Sequence, residues 1–238
     1  MNMNIYTDIV KNKQYSQPIP SELLKHSQEY RVLATLRYLF PQKYNEMALG
    51  ESPDLQDCGN GIGIEVTVAI RENDMKATSA FSKLHQASSN RDIEKYKRII
   101  KSSDHTLVSI CGGKFAMCAT GTSDGEKNFF QNSIRKKKTK LQQYRNNFRL
   151  MGLAIVLPDI PTSEAENCFV DWSREVFQED ANSFDFVYIL SHRFCISYDV
   201  QANHSSKQMF TNEESRLLCT IARMTAEGEL SLENQEWQ

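Results

Sequence analysis

The sequence predicts an α/β fold, a mixed central β-sheet flanked by helices. Three observations carry that expectation. An amphipathic helix opens the body of the chain, a β-branched hairpin with a Gly/Asn turn follows it, and strand and helix patterns alternate from there onward. At 238 residues the chain favours one large core. The expected division is an arm over residues 1–20, an α/β domain over 21–226 and a polar tail over 227–238.

Each element has a local reason. Pro18 and Pro20 end the arm, and Ser21-Glu22 opens a helix with an apolar stripe of Leu23, Leu24, Tyr30, Val32, Leu33, Leu36 and Phe40, stopped by Pro41. Strand-like runs at Asp54–Asp57 and Ile62–Ile70 flank Cys58-Gly59-Asn60-Gly61 and read as a hairpin. Residues 76–102 are polar and helical. Thr106–Ile110 and Phe115–Ala119 flank Gly112-Gly113 as a second small hairpin. A long basic helix covers 126–148, and Leu150–Leu157 is a buried-type strand stopped by Pro158. Ser163 caps a helix running to about Glu179, Phe184–Ser191 and Phe194–Val200 are strands, and Thr211 with Glu213 and Glu214 starts a last helix.

Composition removes several classes of protein. With 40% hydrophobic and 24% charged residues, ten Gly and six Pro, collagen-like and disordered chains are excluded. No apolar run reaches the roughly 20 residues of a membrane span, and MNMNIYTDIVKNKQ is too polar for a secretory leader. A soluble cytoplasmic protein with no membrane partner is expected. The six cysteines show neither CxxC nor zinc spacing, which predicts reduced, mostly buried thiols. His192, near the end of an apolar run, is compatible with a catalytic role, but a lone histidine is more often packing or surface.

The chemistry concentrates in the first hairpin. Side chains alternate along a strand. A turn centred on Gly59-Asn60 sets Asp54 opposite Glu65, and one centred on Asn60-Gly61 sets Gln56 opposite Glu65 with Asp54 diagonal to it. Either register places Asp54, Gln56 and Glu65 on one face. Glu65 shares that face with Gly63, Thr67 and Ala69, while Ile62, Ile64, Val66, Val68 and Ile70 fill the other. Two carboxylates on a small-residue face repel unless a cation lies between them, and such oxygen donors suit Mg²⁺ or Mn²⁺; the same spacing equally suits an exposed strand face whose acids keep the edge soluble.

Pro53-Asp54 and Gly63-Ile64-Glu65-Val66-Thr67, with the order of elements around them, resemble the PD-(D/E)xK nuclease-like superfamily over roughly residues 21–200. The resemblance implies a restriction-endonuclease-like sheet and Mg²⁺-dependent phosphodiester hydrolysis, with DNA as the expected partner. Asp54 and Glu65 match the two metal-binding acids, and Glu29 on the first helix matches an additional one. Gln56 would position the water or a phosphate oxygen. Many members cut both strands as dimers, so a homodimer is compatible with the resemblance.

The motif lysine should stand where this chain has Thr67, and some members supply it from a neighbouring helix. In the run 134–144, Lys137 falls inside the apolar stripe of Phe130, Ile134, Leu141, Tyr144 and Phe148. Lys138 and Lys140 flank that stripe, and Lys136 points away. Lys137 is the first candidate for the displaced lysine, with Lys138 and Lys140 behind it. Lys136, Lys138, Tyr144, Arg145 and Arg149 are candidate backbone contacts. Residues 91–149 hold 14 Lys+Arg and 5 Asp+Glu, a local +9 hidden inside an overall −2, which suits phosphate binding and is equally consistent with a solvated helix face that pairs with acidic residues elsewhere. Thr67 equally suits an inactive nuclease-like domain that only binds nucleic acid or protein.

Overall fold

A computed structural model describes residues 13–110, 114–119, 125–158 and 161–232. In chain order the elements are α1 (Leu24–Leu39), α2 (Pro41–Tyr44), β1 (Ala48–Leu49), β2 (Leu55–Asp57), β3 (Ile62–Val68), α3 (Glu72–Gln86), α4 (Asn90–Ser102), β4 (His105–Ile110) and β5 (Lys114–Ala119). There follow α5 (Glu126–Tyr144), β6 (Leu150–Val156), α6 (Ser163–Phe177), β7 (Phe186–Leu190), β8 (Phe194–Asp199), β9 (His204–Met209) and α7 (Asn212–Ala226).

A seven-stranded mixed sheet runs β1-β2-β3-β6-β7-β8-β9. Its centre, β3-β6-β7, is parallel, and both margins are antiparallel. Parallel neighbours need crossover connections, and crossovers of one hand stepping in one direction lie on one face. Helices α5 and α6 obey this. Phe130, Ile134, Leu141 and Tyr144 of α5, with Phe169 and Val176 of α6, share one core with Leu153 and Ile155 of β6 and Val187 and Ile189 of β7. The alternate residues face the other way. There Tyr188 meets Phe40 at 5.7 Å between ring centroids, and its hydroxyl lies 2.7 Å from that of Tyr44. Gly152 admits the Phe186 ring across β6, because a Cβ would fall 2.1 Å from a ring carbon.

The chain divides into two compact units. The first comprises Lys25–Ala69 and the chain from Glu126 onward and contains the seven-stranded sheet. The second comprises Gln14–Leu24 and Ile70–Gly125. In it, α3 and α4 pack through Ala80, Leu84 and Ile100, with Leu107 and Met117 of the separate β4-β5 hairpin against them. The greater part of the second unit thus enters the chain between β3 and α5.

The stretch 76–102 is helical as expected, and Ser89 divides it by capping α4, accepting from the Asp92 N–H. Several expectations need correction. Thr162, not Ser163, caps α6. Pro41 ends α1 but occupies the first turn of the short α2, where its missing N–H is harmless. Strand β9 was not anticipated. His204–Met209 has no apolar alternation and is exposed throughout, so its conformation comes from pairing with β8. The described cysteines are free, but only Cys195 is buried, and Cys58 and Cys118 are exposed. Gly112-Gly113 lies outside the described residues. Among the described residues no helix is long and apolar enough to cross a membrane.

Candidate active site

The hairpin takes the register that sets its two acids opposite each other. Leu55 pairs with Ile64, Gln56 with Gly63 and Asp57 with Ile62, so Asp54, one step beyond, faces Glu65. The four-residue turn Cys58–Gly61 selects this register. Asp57 accepts from the Asn60 backbone N–H at 2.9 Å and its side-chain amide at 2.7 Å, and Gly61 takes φ 62°, which glycine adopts without penalty. Across the ladder Glu65 pairs with Leu153, which places both acids on the face covered by α5.

Each carboxylate is almost fully removed from water. The side chains of Glu29, Asp54 and Glu65 are 4%, 5% and 4% exposed. Asp54 Oδ2 accepts the Val66 N–H at 2.8 Å, so β3 itself holds this carboxylate. Gly63 leaves room for the adjoining Pro53, since a Cβ there would fall 2.7 Å from Pro53 Cγ and 2.8 Å from Met151 Sδ.

Two lysines from different helices complete the cluster. Lys137 of α5 places Nζ 2.5 Å from Glu65 Oε1 and 3.6 Å from Asp54 Oδ2. Lys25 of α1 places Nζ 3.0 Å from Glu29 Oε1 and 3.4 Å from Asp54 Oδ1. The bond to Glu29 raises the Lys25 pKa, against the opposing effect of burial. His26 Nδ1 lies 2.8 Å from Glu29 Oε2. Burial raises the Tyr144 pKa, the nearby Ser52 side chain opposes that rise and the Glu65 charge adds to it. Three buried carboxylates thus meet two ammonium groups and one imidazole in a sheltered site.

Of the residues singled out from sequence, Asp54, Glu65, Glu29 and Lys137 come together here. Gln56 shares their face, but its amide Nε2 donates to the Pro53 carbonyl at 3.0 Å and its side chain lies over Gly50, so it braces the loop. Lys138 points inward, donating to the Val176 carbonyl at 2.9 Å and pairing with Asp180 at 3.0 Å. Arg145 is tied to Asp185 at 3.1 Å and to the Ser183 carbonyl at 2.7 Å. These partners engage Lys138 and Arg145 within the fold. Lys136 and Lys140 are exposed on α5, and Arg149 donates to the Asn60 carbonyl at 3.4 Å. His192 lies outside the cluster, its Nδ1 3.7 Å from Cys219 Sγ.

Lys25, His26 and Ser52 were missed. The signal for Lys25 was its place one turn before Glu29, the i, i+4 spacing of a helical ion pair.

Among the described residues no set of three or more His, Cys, Asp and Glu side chains forms a ready-made metal cage. The acids converge instead on ammonium groups. This donor set suits a hard divalent ion of the Mg²⁺ type, which takes one or two carboxylates and completes its shell with water and phosphate. Comparison with known proteins returns no match to a family model, a curated protein or a solved structure.

Proposed function

We propose that this chain is a metal-dependent nuclease of the PD-(D/E)xK type, hydrolysing phosphodiester bonds with DNA as substrate. The observation that carries the reading is the convergence of Lys137, from a helix, on Asp54 and Glu65, from the hairpin. It supplies the ammonium group that Thr67 cannot. A first helix bearing Glu29, a hairpin bearing the two acids and a parallel crossover to β6 also support a restriction-endonuclease-like arrangement.

Asp54, Glu65 and Glu29 are the residues that would hold Mg²⁺ or Mn²⁺. A divalent ion bound there supplies Lewis-acid polarisation of a phosphate oxygen and lowers the pKa of a water. The protein does the rest. The Val66 N–H fixes the orientation of the Asp54 carboxylate. Lys137, held by both acids, stands where it can stabilise negative charge developing on the phosphoryl oxygens as water attacks phosphorus and the ester oxygen leaves.

The test is cleavage of single- and double-stranded DNA with Mg²⁺ or Mn²⁺ by the full chain, by Asp54→Asn and by Glu65→Gln. The expected result is cleavage by the parent chain and a fall of at least about 10³-fold in both variants. Cleavage that survives both substitutions sinks the proposal. A second reading, an inactive module that binds nucleic acid or protein, is favoured by one observation: Lys25 and Lys137 already neutralise most of the acidic charge. Salt-sensitive binding without cleavage under any of these conditions supports it.

A further inference from the structure

The positive charge that the sequence places on residues 91–149 is not spent evenly. On α5 and the turn after it much of it is consumed within the fold. Lys127 pairs with Glu175 at 2.7 Å, Arg135 with Glu179 at 2.5 Å, Lys138 with Asp180 and Arg145 with Asp185. On α4, in the second unit, the pattern is the reverse. Arg91, Lys95, Arg98 and Lys101 are exposed, and among the described residues none of the four makes a salt bridge.

Their spacing of four, three and three residues keeps them on one side of the helix. At 1.5 Å per residue the stripe is about 15 Å long. The acids of α4 are already engaged, Glu94 by Lys97 at 3.0 Å and Asp92 by Ser89 at 2.7 Å. The opposite side, Ile93, Tyr96, Ile99 and Ile100, packs on α3 and the β4-β5 hairpin. That apolar face is therefore committed to the fold and cannot enter a lipid layer. The ring beside this face, Tyr96, is half-buried against the fold and lies under Lys95 Nζ at 5.6 Å, so it offers no open platform for an unpaired base, and the face suits the regular phosphate spacing of a duplex over a single strand.

We propose that this face of α4 is a sequence-independent contact surface for the phosphate backbone of double-stranded DNA. The choice of partner rests on the nuclease reading, while the surface itself rests on the four cations that no carboxylate neutralises. Contacts of this kind position a duplex without reading its bases. They release counterions, so their number sets the salt dependence of binding.

The test uses the full chain in EDTA, so that cleavage does not intervene, with a fluorescent 25-base-pair duplex followed by anisotropy across a salt series. The combined variant Arg91→Gln, Lys95→Gln, Arg98→Gln, Lys101→Gln should bind at least about tenfold more weakly at 100 mM salt. Its log–log slope should be shallower by up to about 3.6, at roughly 0.9 for each phosphate no longer neutralised. The four Arg-to-Lys and Lys-to-Arg exchanges should keep the parent slope, and an unchanged melting curve shows that the charge-removed variant is folded. An unchanged slope overturns the inference, as does a parent chain that binds no duplex. Preference for an equal-length single strand, or competition by vesicles of anionic lipid, also overturns it. Cleavage with an unchanged slope rejects the α4 surface and leaves the nuclease reading standing. A flattened slope in a chain that never cleaves does the converse.

Discussion

Lys137 Nζ lies 2.5 Å from Glu65 Oε1, joining two residues 72 positions apart on a helix and a strand that meet only in the folded chain. Glu65 is nearly water-free, and Lys137 is its cationic partner. Removing one member of such a pair leaves a buried charge uncompensated. Lys137→Met should therefore destabilise the protein by about 3 kcal/mol, a fall of roughly 6–12 °C in melting temperature. If a divalent ion binds these acids, 10 mM Mg²⁺ should raise the melting temperature of the variant more than that of the parent. Equal shifts measured by circular dichroism would count against a cation site.

Lys25 differs because its side chain is 72% exposed while both its partners are buried. An exposed lysine contributes little to stability, so Lys25→Ala should stay within about 1 kcal/mol of the parent. It also competes with any cation for Glu29 and Asp54. Calorimetric titration with Mn²⁺ should show tighter binding in this variant by several-fold, and weaker binding would identify Lys25 as part of the support for the site.

Lys138 and Arg145 sit in the basic run but serve the packing of the first unit. Lys138→Met unpairs the Val176 carbonyl and Asp180 and should lower stability by about 1–3 kcal/mol. Neither Lys138→Met nor Arg145→Gln should change the salt dependence of duplex binding. A shallower slope in either variant would place these residues on the nucleic-acid surface after all.

What the sequence reveals and conceals follows from the range of the interactions. The β2-β3 hairpin is legible because its turn chemistry and its alternation are local, contained between Asp54 and Ile70. Lys137 is legible because a lysine inside an apolar helical stripe must find an anion. The fates of Lys138 and Arg145 are not, because Asp180 and Asp185 lie some 40 residues further on and meet α5 only across the crossover through β6. Strand β9 is hidden for a related reason: its polar run becomes a strand only beside β8. The second unit is hidden because α3 and α4 look like any polar helices until their shared apolar side is assembled.

The Tyr38–Glu214 contact between α1 and α7 gives stability a pH dependence at both ends. Burial, then the bond to Glu214, pushes Tyr38 up to about 12 from 10. A raised folded pKa stabilises fully below the unfolded value, so this contribution is lost as pH rises from 10 toward 12. The bond from Tyr38, followed by the Thr211 N–H, lowers the Glu214 pKa, so its contribution is lost as pH falls below the ordinary carboxylate range. Urea unfolding of Tyr38→Phe should show less loss of stability between about pH 10 and 12 than the parent, by about 1 kcal/mol after allowance for solvent screening. Parallel curves would show that the hydroxyl is not held in this contact.

Gly63 links the geometry of the hairpin to that of the acids. It lies on the same face as Glu65, two residues earlier, and faces Gln56 across the ladder. A methyl group there meets Pro53 Cγ at 2.7 Å, Met151 Sδ at 2.8 Å and Phe148 Cγ at 3.1 Å. Met151 can move its flexible end, but Pro53 is rigid and carries Asp54 with it. Gly63→Ala should therefore destabilise by about 1–3 kcal/mol and shift Asp54 away from Glu65. If the nuclease reading holds, cleavage should fall by roughly 10²-fold at a temperature where the variant remains folded, since misplacement of about 1 Å is enough for such a loss. Gly63→Ala with parental cleavage and parental melting would show that Pro53 has room to yield without moving the acid.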